Sequence, residues 1–112
     1  MNPGQAEITQ QSQQQYTISG AVNFTTAPDL VRRALSFFKK DKASQDQVKQ
    51  GQVKVDLSKV TECNSVGLAL MFEMAKSAQS KNIELRFENL PDTLLTIAKA
   101  YGVEAEVKNI SE

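Results

Sequence analysis

The residues best suited to chemistry lie in one short stretch of the chain, from Asp56 to Ser65. The stretch contains a second carboxylate, Glu62, and a thiol, Cys63, and it ends just before an apolar segment that begins at Val66. Paired carboxylates can act as general acid and base, and a thiol can act as a nucleophile. A serine at the start of a helix can cap the helix, or can carry a phosphate that faces the free N–H groups of the first turn.

Composition excludes most catalytic chemistry. The 112 residues include no histidine and one cysteine, so His-based triads, internal disulfides and multi-cysteine zinc sites are ruled out. The five glycines are scattered and form no phosphate-binding loop. Cys63 has no evident activating basic neighbour, and Asp56 and Glu62 lie among balanced charges. We therefore expect no catalytic residue, no metal and no cofactor, and we expect that the protein is not an enzyme.

The charge balance and the hydropathy of the chain argue against nucleic-acid partners, a membrane span and a secretory signal. Thirteen Lys and Arg residues balance thirteen Asp and Glu residues, so the chain lacks the basic excess that nucleic-acid binding needs. No apolar run approaches the roughly 20 residues that cross a bilayer, and the Gln-rich start lacks the apolar core of a secretory signal. We expect a cytoplasmic protein with no bound nucleic acid and no direct membrane insertion.

Strands and helices alternate along the chain, and their order predicts where the fold places the stretch from Asp56 to Ser65. Side-chain periodicity predicts strands over residues 7–15 (a polar edge strand and turn), 16–19, 53–57, 83–87 and 103–107. It predicts helices over residues 26–40, 65–80 and 89–101, the last ending at Gly102 with an apolar side formed by Leu94, Leu95, Ile97, Ala98 and Tyr101. Residues 41–52 are expected to form a solvated linker and residues 58–64 a loop.

Alternating strands and helices predict an α/β domain with a mostly parallel sheet. We expect one domain over residues 7–108, with flexible ends at 1–6 and 109–112. Ligands and partners of such sheets bind at the carboxyl ends of the strands, which is where Ser65 would lie. The second helix is apolar on nearly all sides in its first half, so Leu70 and Met74 either reach a partner or are covered by the third helix.

Two segments resemble the signature of STAS domains, the family of the anti-sigma-factor antagonists. The first runs Val-Asp-Leu-Ser from Val55, and the second runs Asn-Ser-Val-Gly-Leu from Asn64. The Gly-Ala-Val-Asn segment at residues 20–23 is similar to the Gly-Glu-Leu-Asp segment of the family, and the similarity extends over roughly residues 7–107. The resemblance implies a mixed, mostly parallel sheet of four to five strands with three or four helices packed mainly on one face.

Within that family, the chain is similar to the STAS subunits of Mla-type phospholipid ABC transporters. Two stretches carry this similarity: Gly-Leu-Ala-Leu from Gly67, and Leu-Thr-Ile-Ala-Lys-Ala-Tyr-Gly-Val from Leu95. The resemblance implies a cytoplasmic protein that binds the MlaF-type ATPase and, through it, a permease at the inner membrane. Such a system maintains the lipid asymmetry of the outer membrane.

The resemblance also implies site residues. Ser65 occupies the position that anti-sigma antagonists phosphorylate and that Mla subunits fill with threonine. Asn23 and Asn64 stand where the family has aspartate, so both replacements remove negative charge from this region. The residues implied for partner binding are Asn23, Asn64, Ser65, Val66, Gly67, Leu70 and Met74.

Two functions therefore remain open at this point. In the first, the chain is a subunit that docks on an ABC ATPase. In the second, it is an anti-sigma-factor antagonist that is switched by phosphorylation of Ser65. Loss of the two aspartates favours a docking surface that does not depend on phosphorylation.

Overall fold

The computed structural model describes residues 6–12, 14–40 and 52–111, and it shows a four-stranded mixed sheet with four helices. The strands are β1 (Ala6–Ser12), β2 (Gln15–Val22), β3 (Gln52–Cys63) and β4 (Glu84–Glu88), and they lie in the order β1-β2-β3-β4. The helices are α1 (Ala27–Lys40), α2 (Val66–Gln79), α3 (Asp92–Ala100) and α4 (Glu104–Asn109). The predicted fold class is confirmed. The predicted linker falls almost wholly on residues 41–51, outside the described residues, as do residues 1–5 of the predicted flexible start.

One pair in the sheet is antiparallel and two pairs are parallel. β1 and β2 form an antiparallel hairpin, in which Ile8 lies opposite Ile18. β3 lies parallel to both β2 and β4, as expected for strands joined through a helix. Side chains alternate along β3, so that Val53, Val55 and Leu57 are buried while the residues between them are only half-buried.

β3 is longer than its sequence pattern predicts, and the predicted loop at residues 58–64 is wrong. The strand continues to Cys63 because its pairing with β2 shifts twice, between Thr17 and Ser19 and between Gly20 and Ala21. Each shift places one additional residue on β3, as a β-bulge does. The added half of the strand is mostly exposed, so no alternation of apolar residues marks it in the sequence.

The hydrophobic core lies between the helices and one face of the sheet. Ile18, Val55 and Phe87 supply it from the strands, and Leu30 of α1 and Leu94 of α3 supply it from the helices. One side of α2 is buried in this core along the whole helix. Its core residues are Leu68, Leu70, Met71, Met74 and Ala78.

The last predicted strand is wrong, because residues 104–109 form the short helix α4. Val103 and Val107 fit a strand by their even spacing, but they are also four residues apart, which places them on one side of a helical turn. The Val107 N–H donates to the Val103 carbonyl over 3.0 Å, and Val107 is buried. Gly102 has φ +75°, which confirms the predicted left-handed end of α3.

The apolar side predicted for α3 is only partly buried. Leu94 and Ala98 lie in the core, and Ile97 packs against it, whereas Leu95 and Tyr101 are exposed. Buried residues four apart define a narrow stripe on a helix of nine residues. The expectation that Leu95 and Tyr101 belong to the apolar side is therefore corrected.

The segment after α4 packs along the edge of β4. The Phe87 N–H donates to the Ile110 carbonyl over 2.9 Å, and Phe87 forms an isolated parallel bridge with Ser111. Arg86 Nη1 donates to the carbonyls of Asn109 and Ser111. Residues of the predicted flexible end thus make specific hydrogen bonds to the sheet.

Candidate docking surface

The turn that links β2 to α1 is built on the side chain of Asn23. Its Oδ1 accepts the N–H groups of Thr25 and Thr26 over 2.9 and 3.0 Å. The Thr26 hydroxyl donates to the Ala21 carbonyl over 2.7 Å and accepts the Asn23 N–H over 3.0 Å. This reciprocal arrangement satisfies backbone groups that a helix start leaves unpaired, and it fixes where α1 begins. Phe24, at the tip of the turn, faces solvent.

The turn that links β3 to α2 repeats this design with Asn64. Its Oδ1 accepts the Val66 N–H over 2.9 Å, and its carbonyl accepts the Gly67 N–H over 2.9 Å. Ser65 stands at the N-cap position in a helical conformation, but its side chain makes no capping hydrogen bond. Of the two capping residues left open by the sequence, Asn64 therefore caps α2, and the half-buried Ser65 hydroxyl is not committed to the helix.

The two turns are neighbours, because Val22 and Cys63 are paired residues at the ends of β2 and β3. Asn23 and Asn64 follow these paired residues directly, so α1 and α2 begin side by side at the carboxyl edge of the sheet. Neither asparagine carries a charge, and the first turn of α2 contains no acidic residue. The two asparagines therefore make the turns at this edge polar without adding charge, while the first turn of α1 carries the acidic residue Asp29.

An apolar groove of about 310 Å³ runs between the first turns of α1 and α2. We call this feature the docking groove and define it by its lining residues Phe24, Ala27, Pro28, Val31, Val66, Ala69, Leu70 and Glu73. Phe24 is 72% exposed, which is unusual for a phenyl ring. Seven of the eight lining residues are apolar, and a concave surface of this kind suits contact with another protein better than contact with water.

The structure divides the seven residues implied for partner binding into two groups. Asn23, Asn64, Ser65 and Val66 are half-buried at the edge of the groove. Gly67, Leu70 and Met74 are buried, and Leu70 and Met74 are only 4% and 1% exposed. The expectation that Met74 reaches a partner from the flank of α2 is corrected, since Met74 is enclosed in the core between the helices and the sheet, whereas the small exposed part of Leu70 faces the groove. Leu70 contributes to the floor of the groove.

Sequence reasoning missed the residues that make the groove apolar on its α1 side. Phe24, Pro28 and Val31 come from the first turn region of α1, and Ala69 and Glu73 come from the outer side of α2. A signal for Phe24 was present, because the polar residues directly around it, Asn23, Thr25 and Thr26, are typical of a turn rather than of a buried strand or helix. The contact between α1 and α2 depends on the pairing of β2 with β3, which joins residues far apart in the sequence.

Of the remaining chemical groups of the Asp56–Ser65 stretch, Glu62 is exposed on β3, whereas Asp56 and Cys63 are half-buried. Burial alone raises the pKa of Asp56, but hydrogen bonds from Asn89 Nδ2 (2.9 Å) and from Ser58 outweigh it, so the pKa lies below its usual value. Burial raises the pKa of the Cys63 thiol, which keeps it protonated. These environments favour a structural carboxylate and an inert thiol.

In the part of the chain that the structure describes, no three His, Cys, Asp or Glu residues are grouped so that they could hold a metal ion. Within the same residues, no helix is both long and apolar enough to cross a membrane. A small cavity of about 10 Å³ lies beneath Cys63 and Gly67, and it is lined mainly by aliphatic side chains. An apolar space of that size does not hold a cofactor.

Comparison with known proteins identifies the family of this chain. The family model described as "Mlab, STAS domain" matches residues 8–109. Among solved structures, the chain is similar to the unphosphorylated anti-sigma factor antagonist SpoIIAA, with a TM-score of 0.64 and 8% identity over 96% of this chain and 85% of that one.

It is also similar to an anti-sigma-factor antagonist (STAS) domain protein from Planctomyces limnophilus, with a TM-score of 0.58 and 13% identity over 87% of this chain and 80% of that one. No curated protein matches the chain. The two structures share the fold with this chain, and domains of this family are generally non-catalytic. The match over residues 8–109 shows that the chain belongs to the STAS domain family.

Proposed function

We propose that residues 7–108 form one STAS domain that acts, without catalysis, as a subunit of an Mla-type phospholipid ABC transporter. In this role the chain binds the cytoplasmic ATPase subunit and stabilises or regulates it, and it lies at the inner membrane only through that partner. The observation that carries the proposal is the match to the Mlab-type STAS model over residues 8–109. The docking groove supports it, because the groove lies beside the signature residues Asn64 and Ser65.

The physical basis of docking is the burial of apolar surface that the isolated chain leaves in water. Phe24 projects from a turn that four hydrogen bonds hold in place, so little conformational entropy is lost when a partner covers it. Burial of one such side chain contributes about 1.5–3 kcal/mol. Aromatic anchors in the centre of an interface commonly carry much of the binding energy.

Binding to the ATPase subunit of the Mla-type transporter from the same organism tests the proposal. The full chain, Phe24→Ser, Ser65→Arg and Tyr101→Ser are each co-purified with the ATPase, and dissociation constants are measured by titration calorimetry. We expect Phe24→Ser to weaken binding by about 30-fold, which corresponds to about 2 kcal/mol. Ser65→Arg is expected to weaken it comparably by placing a long charged side chain at the edge of the groove.

Tyr101→Ser is the matched control, because Tyr101 is also an exposed aromatic residue, 64% exposed, but lies after α3 and outside the docking groove. It should bind within twofold of the unmodified chain. Absence of binding by the unmodified chain would refute the proposed function. Equal binding by all four proteins would show that the ATPase contacts another surface.

A second candidate function is an anti-sigma-factor antagonist switched by phosphorylation of Ser65. The observation that favours it is the Ser65 hydroxyl, which makes no capping hydrogen bond at the start of α2. A phosphate there would lie at the positive end of the α2 dipole, and no acidic residue in the first turn would repel it. Incubation with candidate anti-sigma kinases followed by mass spectrometry tests it. A chain that stays unmodified while it binds the ATPase stably would exclude this function.

A further inference from the structure

The docking groove has one charged group, the carboxylate of Glu73, and this group lies at the end of the groove away from Asn64. Glu73 is exposed on α2, and among the described residues it takes part in no salt bridge. The acidic residue of α1, Asp29, is already paired with Arg32 over 2.8 Å and with Arg33 over 3.1 Å. Glu73 is therefore the carboxylate at this surface that remains available to a partner.

From this arrangement we infer that the segment seated in the docking groove is an amphipathic helix that carries a Lys or Arg next to its apolar anchors. The inference rests on the proposed function and specifies the chemistry of the ATPase segment that binds. A groove between two helices is the shape that receives the apolar face of a third helix. Electrostatic complementarity then selects a cation opposite Glu73.

The spacing of the groove residues predicts where that cation stands. Val66 and Glu73 are seven residues apart on α2, which is about 10 Å along a helix that rises 1.5 Å per residue. A partner helix that lies along α2 spans the same distance with seven residues. If the partner helix runs in the same direction as α2, an apolar anchor at position i faces Val66, a second at i+3 or i+4 faces Leu70, and the Lys or Arg at i+7 faces Glu73. If it runs in the opposite direction, the same contacts fall at i, at i−3 or i−4, and at i−7.

The volume of the groove is consistent with this occupant. At about 310 Å³, the groove lies at the lower end of the range found for ligand pockets, about 300–1,000 Å³. It is lined almost entirely by apolar side chains and lacks the several convergent polar groups that fix the orientation of a small molecule. Apolar side chains on one face of a partner helix suit such a lining.

The experiment measures dissociation constants between the full chain and the ATPase subunit at 50 mM and 500 mM NaCl. The variants are Glu73→Lys, Glu73→Gln and, as the matched control, Glu7→Lys. Glu7 is an exposed glutamate on β1, next to the inward-facing Ile8, so its side chain points to the sheet face opposite the helices. We expect Glu73→Lys to weaken binding about tenfold at 50 mM NaCl and much less at 500 mM, since salt screens exposed charges.

Glu73→Gln should weaken binding about threefold at low salt, and Glu7→Lys should leave it within twofold at both. Exchange of the facing Lys or Arg of the ATPase helix for Glu should restore binding to Glu73→Lys. If the unmodified chain binds and Glu73→Lys binds equally well, the inference is overturned while the proposed function stands. If the unmodified chain does not bind, the proposed function fails and the inference fails with it.

Discussion

Gly67 leaves no space for a side chain at the start of α2. A Cβ atom placed there would overlap the Cys63 Sγ and would lie 3.3 Å from Leu94 Cδ1. The residue is buried and faces the small cavity at the carboxyl edge of the sheet. At the residue scale, Gly67 therefore serves the close approach of α2 to β3 and α3, rather than contact with a partner.

We predict that Gly67→Ala lowers the free energy of unfolding by about 1–2 kcal/mol. The direct overlap with Cys63 Sγ places the cost of overpacking at about 2–3 kcal/mol, the upper part of its usual range, and the gain in helix propensity offsets about 1 kcal/mol of it. Urea denaturation measures the change. The double variant Cys63→Ala/Gly67→Ala removes the overlapping sulfur and should recover most of the loss, whereas a single Gly67→Ala variant as stable as the unmodified chain would contradict the predicted overlap.

A second prediction at the residue scale concerns Asp56, which accepts a hydrogen bond from Asn89 across β3 and β4. Its pKa is lowered in the folded chain, so its ionised form stabilises the fold above the usual pKa of about 3.9. That contribution is lost as the pH falls through the folded-state pKa. Acid therefore weakens this contact between the strands, and higher pH restores it.

We expect Asn89→Ala to raise the pKa of Asp56 toward its usual value, as measured by carboxyl-carbon NMR titration. The same variant should reduce the difference in unfolding free energy between pH 7 and pH 3. Asn82→Ala is the matched control, because Asn82 and Asn89 both have positive φ, 62° and 58°, and only Asn89 contacts Asp56. An unchanged Asp56 titration in Asn89→Ala would mean that another donor holds the carboxylate.

At the scale of elements, the starts of α1 and α2 depend on asparagine side chains. The side-chain oxygens of Asn23 and Asn64 accept backbone N–H groups at these starts, as an aspartate carboxylate would. Capping therefore survives the loss of charge, because the amide oxygen is an adequate acceptor. Both asparagines therefore act as structural caps.

We predict that Asn64→Ala lowers the free energy of unfolding by about 1 kcal/mol, the usual contribution of an N-cap side chain. Ser65→Ala should change it by less than about 0.5 kcal/mol, because the Ser65 side chain makes no capping hydrogen bond. Thermal and urea unfolding of both variants provide the measurement. A larger loss for Ser65→Ala than for Asn64→Ala would reverse the assignment of the cap.

The sequence predicts those elements that have a strong local pattern. The helix at 65–80 and the strand at 83–87 are found within one residue of their predicted ends, because their apolar spacing is regular. The second half of β3 has no such pattern, since bulged pairing with β2 extends it. Residues 103–107 fit two periods at once, and only packing of Val107 in the core selects the helix.

The docking groove could be predicted only in part for a related reason. The family motif marks Asn64, Ser65 and Val66 on one side of the groove, but the opposite side comes from α1, some 40 residues earlier in the chain. No sequence pattern within either segment predicts that the starts of α1 and α2 lie next to each other in space. That information lies in the pairing of Val22 with Cys63.

At the scale of the whole molecule, α2 packs against the sheet and α1, and most of its apolar side chains are buried in the core. Met74 is 1% exposed, while Ala69, five residues earlier on the same helix, is exposed. This difference separates residues that stabilise the domain from residues that line its surface.

We predict that Met74→Ala lowers the free energy of unfolding by about 2–5 kcal/mol, as expected when a buried side chain leaves a cavity. Ala69→Ser, at an exposed position of the same helix, should change it by no more than about 0.5 kcal/mol. The folded fraction of Met74→Ala should bind the ATPase as the unmodified chain does. A stable Met74→Ala variant that fails to bind would return Met74 to the interface.

The contact between the end of the chain and β4 has a consequence for self-association. Ile110 and Ser111 occupy hydrogen-bonding positions beside Phe87, so this part of β4 cannot receive a strand from another molecule. Among the described strands, the other edge of the sheet is β1. Edge-to-edge pairing of two copies is therefore hindered on β4 at Phe87 and is favoured at β1. Growth of one continuous sheet through many copies needs both edges, so the contact at Phe87 works against fibre growth.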